Sequence, residues 1–112
     1  MDVVENRLGS VTVLQVQGKL DSTTAPELER HLAGAAGGQG PQVVIDGSRL
    51  EYVSSAGLRV FLAAAKRLAA AGGKFAIACP QPQVRQILDV AGFSSLLPVL
   101  PTVDEAVSTC MT

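Results

Sequence analysis

Two unbroken apolar runs, Val43-Val44-Ile45 and Phe75-Ala76-Ile77-Ala78-Cys79, flank a long helical pattern, and that arrangement leaves few folds open. A strand half in water alternates apolar and polar residues, so a strand without polar positions has to be covered on both faces. Between the runs, from Gly57 onward, Leu58, Phe61, Leu62, Ala65, Leu68 and Ala69 recur at helical spacing. Arg59, Lys66 and Arg67 lie off that stripe, and Gly72-Gly73 closes the helix. Buried strand, helix, buried strand is the unit of a parallel sheet, joined by a right-handed crossover.

The flanking segments extend the same architecture. Val3 to Asn6 and Val11 to Gln17 read as two short strands, with Gly9-Ser10 as the hairpin turn between them. Thr24 with Glu27 three residues later reads as a capping box, and Ala25, Leu28, Leu32 and Ala35 share one face of the helix it opens. Gly37-Gly38-Gln39-Gly40-Pro41 ends that helix in a loop. After Ile45, Asp46-Gly47-Ser48 and a short connection lead to Ser54-Ser55. Val84, Ile87, Leu88 and Ala91 form a third helical face closed by Gly92, and Pro98-Val99-Leu100 suits a short edge strand. Thr102 and Glu105 form a second capping box, with Val103, Ala106, Val107 and Cys110 on the apolar side of the last helix. The expected fold is one α/β domain over residues 1–112, a mixed, mostly parallel sheet of four to five strands packed with about four helices.

Composition narrows the function classes. A chain of 112 residues can bury a core without a metal or a disulfide staple. With 47% hydrophobic residues but only 4% aromatics, that core is built from Val, Leu, Ile and Ala. A net charge of −1 attracts no nucleic acid, and Tyr52 is the single tyrosine in a chain without tryptophan, which leaves nothing to stack bases. Cys79 and Cys110 stand in no C-x-x-C pair and near no histidine cluster, so neither a metal nor another cofactor is expected. No signal-peptide pattern and no membrane-length apolar stretch occurs, which points to a reduced cytoplasmic protein that does not insert into a membrane; a monomer is the default expectation. Catalysis is not expected. Val53 stands where a G-x-S-x-G elbow needs its first glycine, the single histidine, His31, precedes the serines and reads as a surface residue, and there is no Walker-type phosphate loop.

The stretch from Val43 to Leu58 carries the most functional information. A buried strand feeds a loop, and Ser54-Ser55 then open a helix. Unpaired N–H groups and the positive end of the helix dipole would stabilise a phosphate on such a serine. Either serine could equally be an ordinary helix cap. Their place after the carboxyl end of a central strand is where α/β sheets carry functional loops.

Here the sequence resembles the STAS domain (sulfate transporter and anti-sigma factor antagonist), and in particular its single-domain bacterial members. Those carry a strand ending in Asp, followed by an Asp-Ser-Ser/Thr-Gly-Leu signature at a helix start. Asp46 matches the strand end, and Ser54-Ser55-Ala56-Gly57-Leu58 matches the signature. Gly18-Lys19-Leu20-Asp21 with Thr24-Ala25-Pro26-Glu27-Leu28 resembles the family's first loop and helix start. Gly92-Phe93, Leu96-Leu97-Pro98-Val99 and Asp104-Glu105-Ala106 resemble its ending.

The resemblance implies an anti-sigma factor antagonist in a partner-switching pathway. Unmodified, it would bind an anti-sigma factor with serine kinase activity. Phosphorylation on Ser55 would release it, and a serine phosphatase would reset it. Ser54 replaces the signature Asp, and Ala56 replaces the second hydroxyl residue. Asp21, Asp46, Ser54, Ser55, Ala56, Gly57, Leu58 and Arg59 are the expected partner-binding set, with Asp21 and Asp46 near Ser55 to bind the partner or orient the hydroxyl. The alternative is a STAS subunit of an ABC-type lipid transport system that docks constitutively on the ATPase.

Overall fold

The computed structural model describes residues 1–37 and 40–111 of the chain. Strands β1 (Asp2–Leu8) and β2 (Val11–Leu20) form the antiparallel hairpin, turned at Gly9-Ser10, where Gly9 takes a positive φ of 63°. Helix α1 (Ala25–Ala35) follows, then β3 (Gln42–Asp46), β4 (Leu50–Val53), α2 (Ser55–Ala70), β5 (Lys74–Ala78), α3 (Pro82–Val90), β6 (Val99–Leu100) and α4 (Val103–Met111). The sheet runs β1-β2-β3-β5-β6, with β4 also paired to β2. Every pairing except β1 with β2 is parallel.

Among the described residues, four α-helices and six strands make the expected α/β class, and β6 is the expected edge strand. The unexpected strand is β4, in what reads from sequence as a plain connection. Its residues Leu-Glu-Tyr-Val do not alternate: Leu50 and Val53 are buried, Glu51 and Tyr52 exposed. A four-residue element with that pattern carries no period-2 signal. The Gly37–Pro41 loop includes residues 38 and 39, which lie outside the described residues.

Strand alternation sorts the core into two layers of unequal bulk. Leu14, Val16, Val43, Ile45, Phe75 and Ile77 point to the face covered by α1, α2 and α3. Their neighbours Val11, Val13, Val44, Ala76 and Ala78 point the other way, where α4 covers them through Ala106 and Cys110. Small side chains on that face let one short helix cover it.

Two helix details depart from the sequence expectation. Thr24 does not form a capping box: its backbone is already helical, and its hydroxyl donates to the Lys19 carbonyl (2.8 Å) and accepts from the Asp21 N–H (2.9 Å). Asp21 serves the chain entry instead, because an aspartate beginning a turn accepts from N–H groups two and three residues on. In contrast, the N–H of Glu105 does donate to Thr102 Oγ1 (3.1 Å) at the start of α4. In α2 the buried face is Gly57, Val60, Phe61, Ala64 and Leu68, rotated from the predicted stripe, and Ala69 is exposed. With alanine at 63, 64, 65, 69 and 70, hydropathy cannot fix the rotation of that helix; packing does. Among the described residues, no helix is long and apolar enough to cross a membrane.

Candidate functional site

β3 and β4 follow one another along β2, the first beside Val11–Gln15 and the second beside Gly18–Leu20. The register shifts between Gly18 and Lys19, and Gly18 sits at φ 101°, a conformation that favours glycine. The last ladder bond of this edge runs from the Ser54 N–H to the Leu20 carbonyl (2.9 Å). It fixes where α2 begins.

The two serines then divide the roles that sequence leaves open. Ser54 is extended (φ −88°, ψ 178°) and half-buried, and its Oγ accepts from the Gly57 N–H at 3.4 Å; it is the cap. Ser55 is the first helical residue, is exposed, and its hydroxyl makes no hydrogen bond among the described residues. Capping is satisfied one residue earlier, so the Ser55 hydroxyl has no part in closing the helix start.

Gly57 makes this arrangement possible. A Cβ placed there would lie 2.7 Å from Leu20 Cγ and 2.9 Å from both Leu20 Cδ2 and Val53 Cγ1. The first turn of α2 is thus pressed against the ends of β2 and β4, which holds Ser55 at the sheet's rim. Ala56 and Leu58 are half-buried against the main core. Arg59, one helical turn past Ser55, is exposed and pairs with no carboxylate among the described residues.

Asp21 and Asp46 are placed differently. Asp21 follows Leu20 directly, so its backbone runs beside that of Ser54. Its Oδ1 accepts from the Thr23 hydroxyl (2.6 Å), the Thr23 N–H (2.9 Å) and the Thr24 N–H (3.3 Å). The Thr23 bonds above all hold its carboxyl below the ordinary value of 3.8. Asp46 lies level with Gln15, whereas Val53 lies level with Leu20. Five residues of strand separate the two levels, about 16 Å at a rise of ~3.3 Å per residue. Asp46 therefore does not reach Ser55. It braces the turn after β3, accepting from the Ser48 N–H (3.0 Å), Cys79 Sγ (3.4 Å) and Gln15 Nε2 (3.4 Å). Burial, reinforced by the bond to Asp46, pushes the Cys79 thiol up to about 11. The family resemblance implied that Asp46 would sit near Ser55; the intervening β4 carries the chain away.

Tyr52, 45% exposed on β4 opposite Lys19, is a surface residue the sequence reading did not place at this rim. Its signal was its rarity, the single tyrosine of the chain two residues before the serines. His31 is half-buried on α1 and shares no hydrogen bond with either serine.

The STAS domain family model matches residues 3–106. A Bordetella bronchiseptica protein named as a candidate anti-sigma factor antagonist, BtrV, is 35% identical over 88% of this chain and 85% of its own. The crystal structure of an anti-sigma factor antagonist from Mycobacterium paratuberculosis superposes with a TM-score of 0.89 at 28% identity, over 99% of this chain and 94% of that one. The Bacillus cell fate determinant SpoIIAA, in its phosphorylated form, shares the fold with a TM-score of 0.71 at 18% identity, over 96% and 98% of the two chains. This hairpin-led sheet, with a capped helix start at its rim, belongs to the STAS domain family.

Proposed function

We propose that this chain is an anti-sigma factor antagonist, a protein-binding module without catalysis of its own, whose hold on an anti-sigma factor with serine kinase activity is broken by phosphorylation of Ser55 and restored by a serine phosphatase. The observation that carries this reading is the division of labour between the serines: Ser54 caps α2, and Ser55 stands exposed with an uncommitted hydroxyl. The names of its relatives in Bordetella and Mycobacterium support the anti-sigma factor antagonist part of this reading.

Ser54 also accounts for the missing signature Asp. Serine and aspartate cap helices comparably well, so the structural role survives while the charge is lost. No acidic residue stands in the first turn of α2. A phosphate on Ser55 would meet the unpaired N–H groups and positive dipole of that turn, with Arg59 one turn on. Its charge of about −1.5 to −2 would be accommodated by the domain without refolding. The same charge in a contact patch opposes binding: like-charge juxtaposition costs several kcal/mol, and about 4 kcal/mol is a thousandfold in affinity.

The test is to co-purify the Ser55→Ala protein with its partner, then compare partner affinity of wild type before and after phosphorylation, mapping the phosphate by mass spectrometry over residues 43–66. Loss of affinity by a factor of a hundred or more on Ser55 phosphorylation is expected. Equal affinity of the phosphorylated and unmodified forms rejects the switch. A constitutively docking transporter subunit would bind an ABC ATPase with no dependence on the Ser55 hydroxyl.

A further inference from the structure

A channel of about 640 Å³ runs between α1 and α2. One wall runs along α1 from Pro26 through Ala33 to Ala36, the residue capping its end; the other is a stripe on α2 from Arg59 through Ala63 to Arg67. Eight to ten residues on each side, at about 1.5 Å per residue, make it roughly 12–15 Å long. Its floor is apolar and closed, with Val60 and Leu68 buried beneath it. Exposed alanines at 33 and 63 keep its walls low. Channels between parallel helices with small side chains admit a third helix at close range. A site for a compact ligand would converge polar groups at one point, whereas here the charges are strung along the rim.

Those charges have one dominant sign. Arg30, Arg59 and Arg67 line the channel against Glu29 alone. They are three of the nine cationic residues of a chain whose net charge is −1. Among the described residues the ion pair is Arg85 with Asp89, so the three rim arginines are unpaired. Arg59 also stands one turn from Ser55, which makes the channel continuous with the rim of the sheet.

We infer that the α1–α2 channel seats an acidic amphipathic helix of a partner protein, its small apolar face on Ala33 and Ala63 and its carboxylates against Arg30, Arg59 and Arg67. This contact stands whether or not Ser55 is a phosphorylation switch, because it depends on neither serine.

The probe is a labelled synthetic helix of about 18 residues, alanine and leucine on one face and glutamate on the other, titrated into the full chain. A counterpart with lysine for every glutamate serves as the control. Saturable binding of the acidic peptide alone is expected, weakening with salt, with amide shifts centred on Ala33 and Ala63. The exposed double substitution Arg30→Glu/Arg67→Glu should weaken it at least about tenfold. Ala63→Trp, which fills the channel without changing charge, should weaken it as well. Absence of saturation, equal binding of the lysine peptide, shifts mapping elsewhere, or indifference to both variants overturns the inference. Concentration-dependent dimerisation abolished by the same variants would assign the channel to a second copy of this chain and also overturn it.

Discussion

Replacing Gly57 with alanine separates helix propensity from packing, because the two push in opposite directions. Alanine in place of glycine inside a helix gains up to about 1 kcal/mol from propensity alone. At position 57, however, the new Cβ would lie 2.7 Å from Leu20 Cγ and 2.9 Å from Val53 Cγ1. Carbon atoms rest about 3.5–4.0 Å apart, so each contact is short by at least roughly 0.6 Å. Relief by side-chain motion is blocked, since Leu20 is 0% and Val53 2% exposed. Overpacking of this kind costs about 1–3 kcal/mol. Set against the propensity gain, Gly57→Ala should leave the fold less stable by up to about 2 kcal/mol. Gly34 provides the matched control: it lies in α1, and a Cβ there meets nothing within 4 Å. Gly34→Ala should therefore stabilise by about 0.5–1 kcal/mol. Urea denaturation followed by circular dichroism reads both, and the shift in midpoint at constant slope gives each difference. If Gly57→Ala proves as stabilising as Gly34→Ala, the close seating of α2 on β2 and β4 is wrong, and with it the account of how Ser55 is held.

Ser54→Ala should lose about 0.5–1 kcal/mol, at the low end for a cap because the bond to Gly57 is long at 3.4 Å, whereas Ser55→Ala should leave stability within about 0.5 kcal/mol of wild type. A larger loss at Ser55 in urea titration would reverse the assignment of the two roles. Asp21 carries a carboxyl held below 3.8, so its contribution is present above that pH and is lost as pH falls through the lower folded value. The stability gap between wild type and Asp21→Ala should therefore be fullest near neutral pH and narrow in strong acid; a gap that widens on acidification refutes it. Cys79 should stay unreactive toward disulfide reagents at pH 8, since its thiol is pushed up to about 11 and the thiolate is the nucleophile. Rapid labelling of Cys79 in the folded protein would show that burial and the Asp46 contact do not hold its thiol as described.

The periodic features were legible without coordinates. The runs at Val43–Ile45 and Phe75–Ala78, the helical pattern between them, the Gly9-Ser10 hairpin and the Val99–Leu100 edge appear where hydropathy and turn chemistry put them, whereas Cys79, expected to end the second run, leaves the strand at a positive φ of 41°. These are local signals, set by side chains a few residues apart. The serine pair at a helix start was legible for the same reason, and so was the family resemblance.

What only the tertiary structure decided concerns distance and rotation. Sequence places Asp21 and Asp46 on comparable terms, but the parallel register of β3 and β4 along β2 brings Asp21 beside Ser54 and leaves Asp46 about 16 Å behind. In an alanine-rich α2 hydropathy does not fix the rotation; the seating of Gly57 on Leu20 and Val53 accompanies a buried face turned from the expected stripe, with Arg59 and Arg67 lining the channel toward α1. The choice between Ser54 and Ser55 as cap rests on a single ladder bond from Ser54 to Leu20, a residue more than thirty positions away in the chain. Local chemistry specifies which residues could act; long-range pairing, which no short window contains, specifies which of them meet.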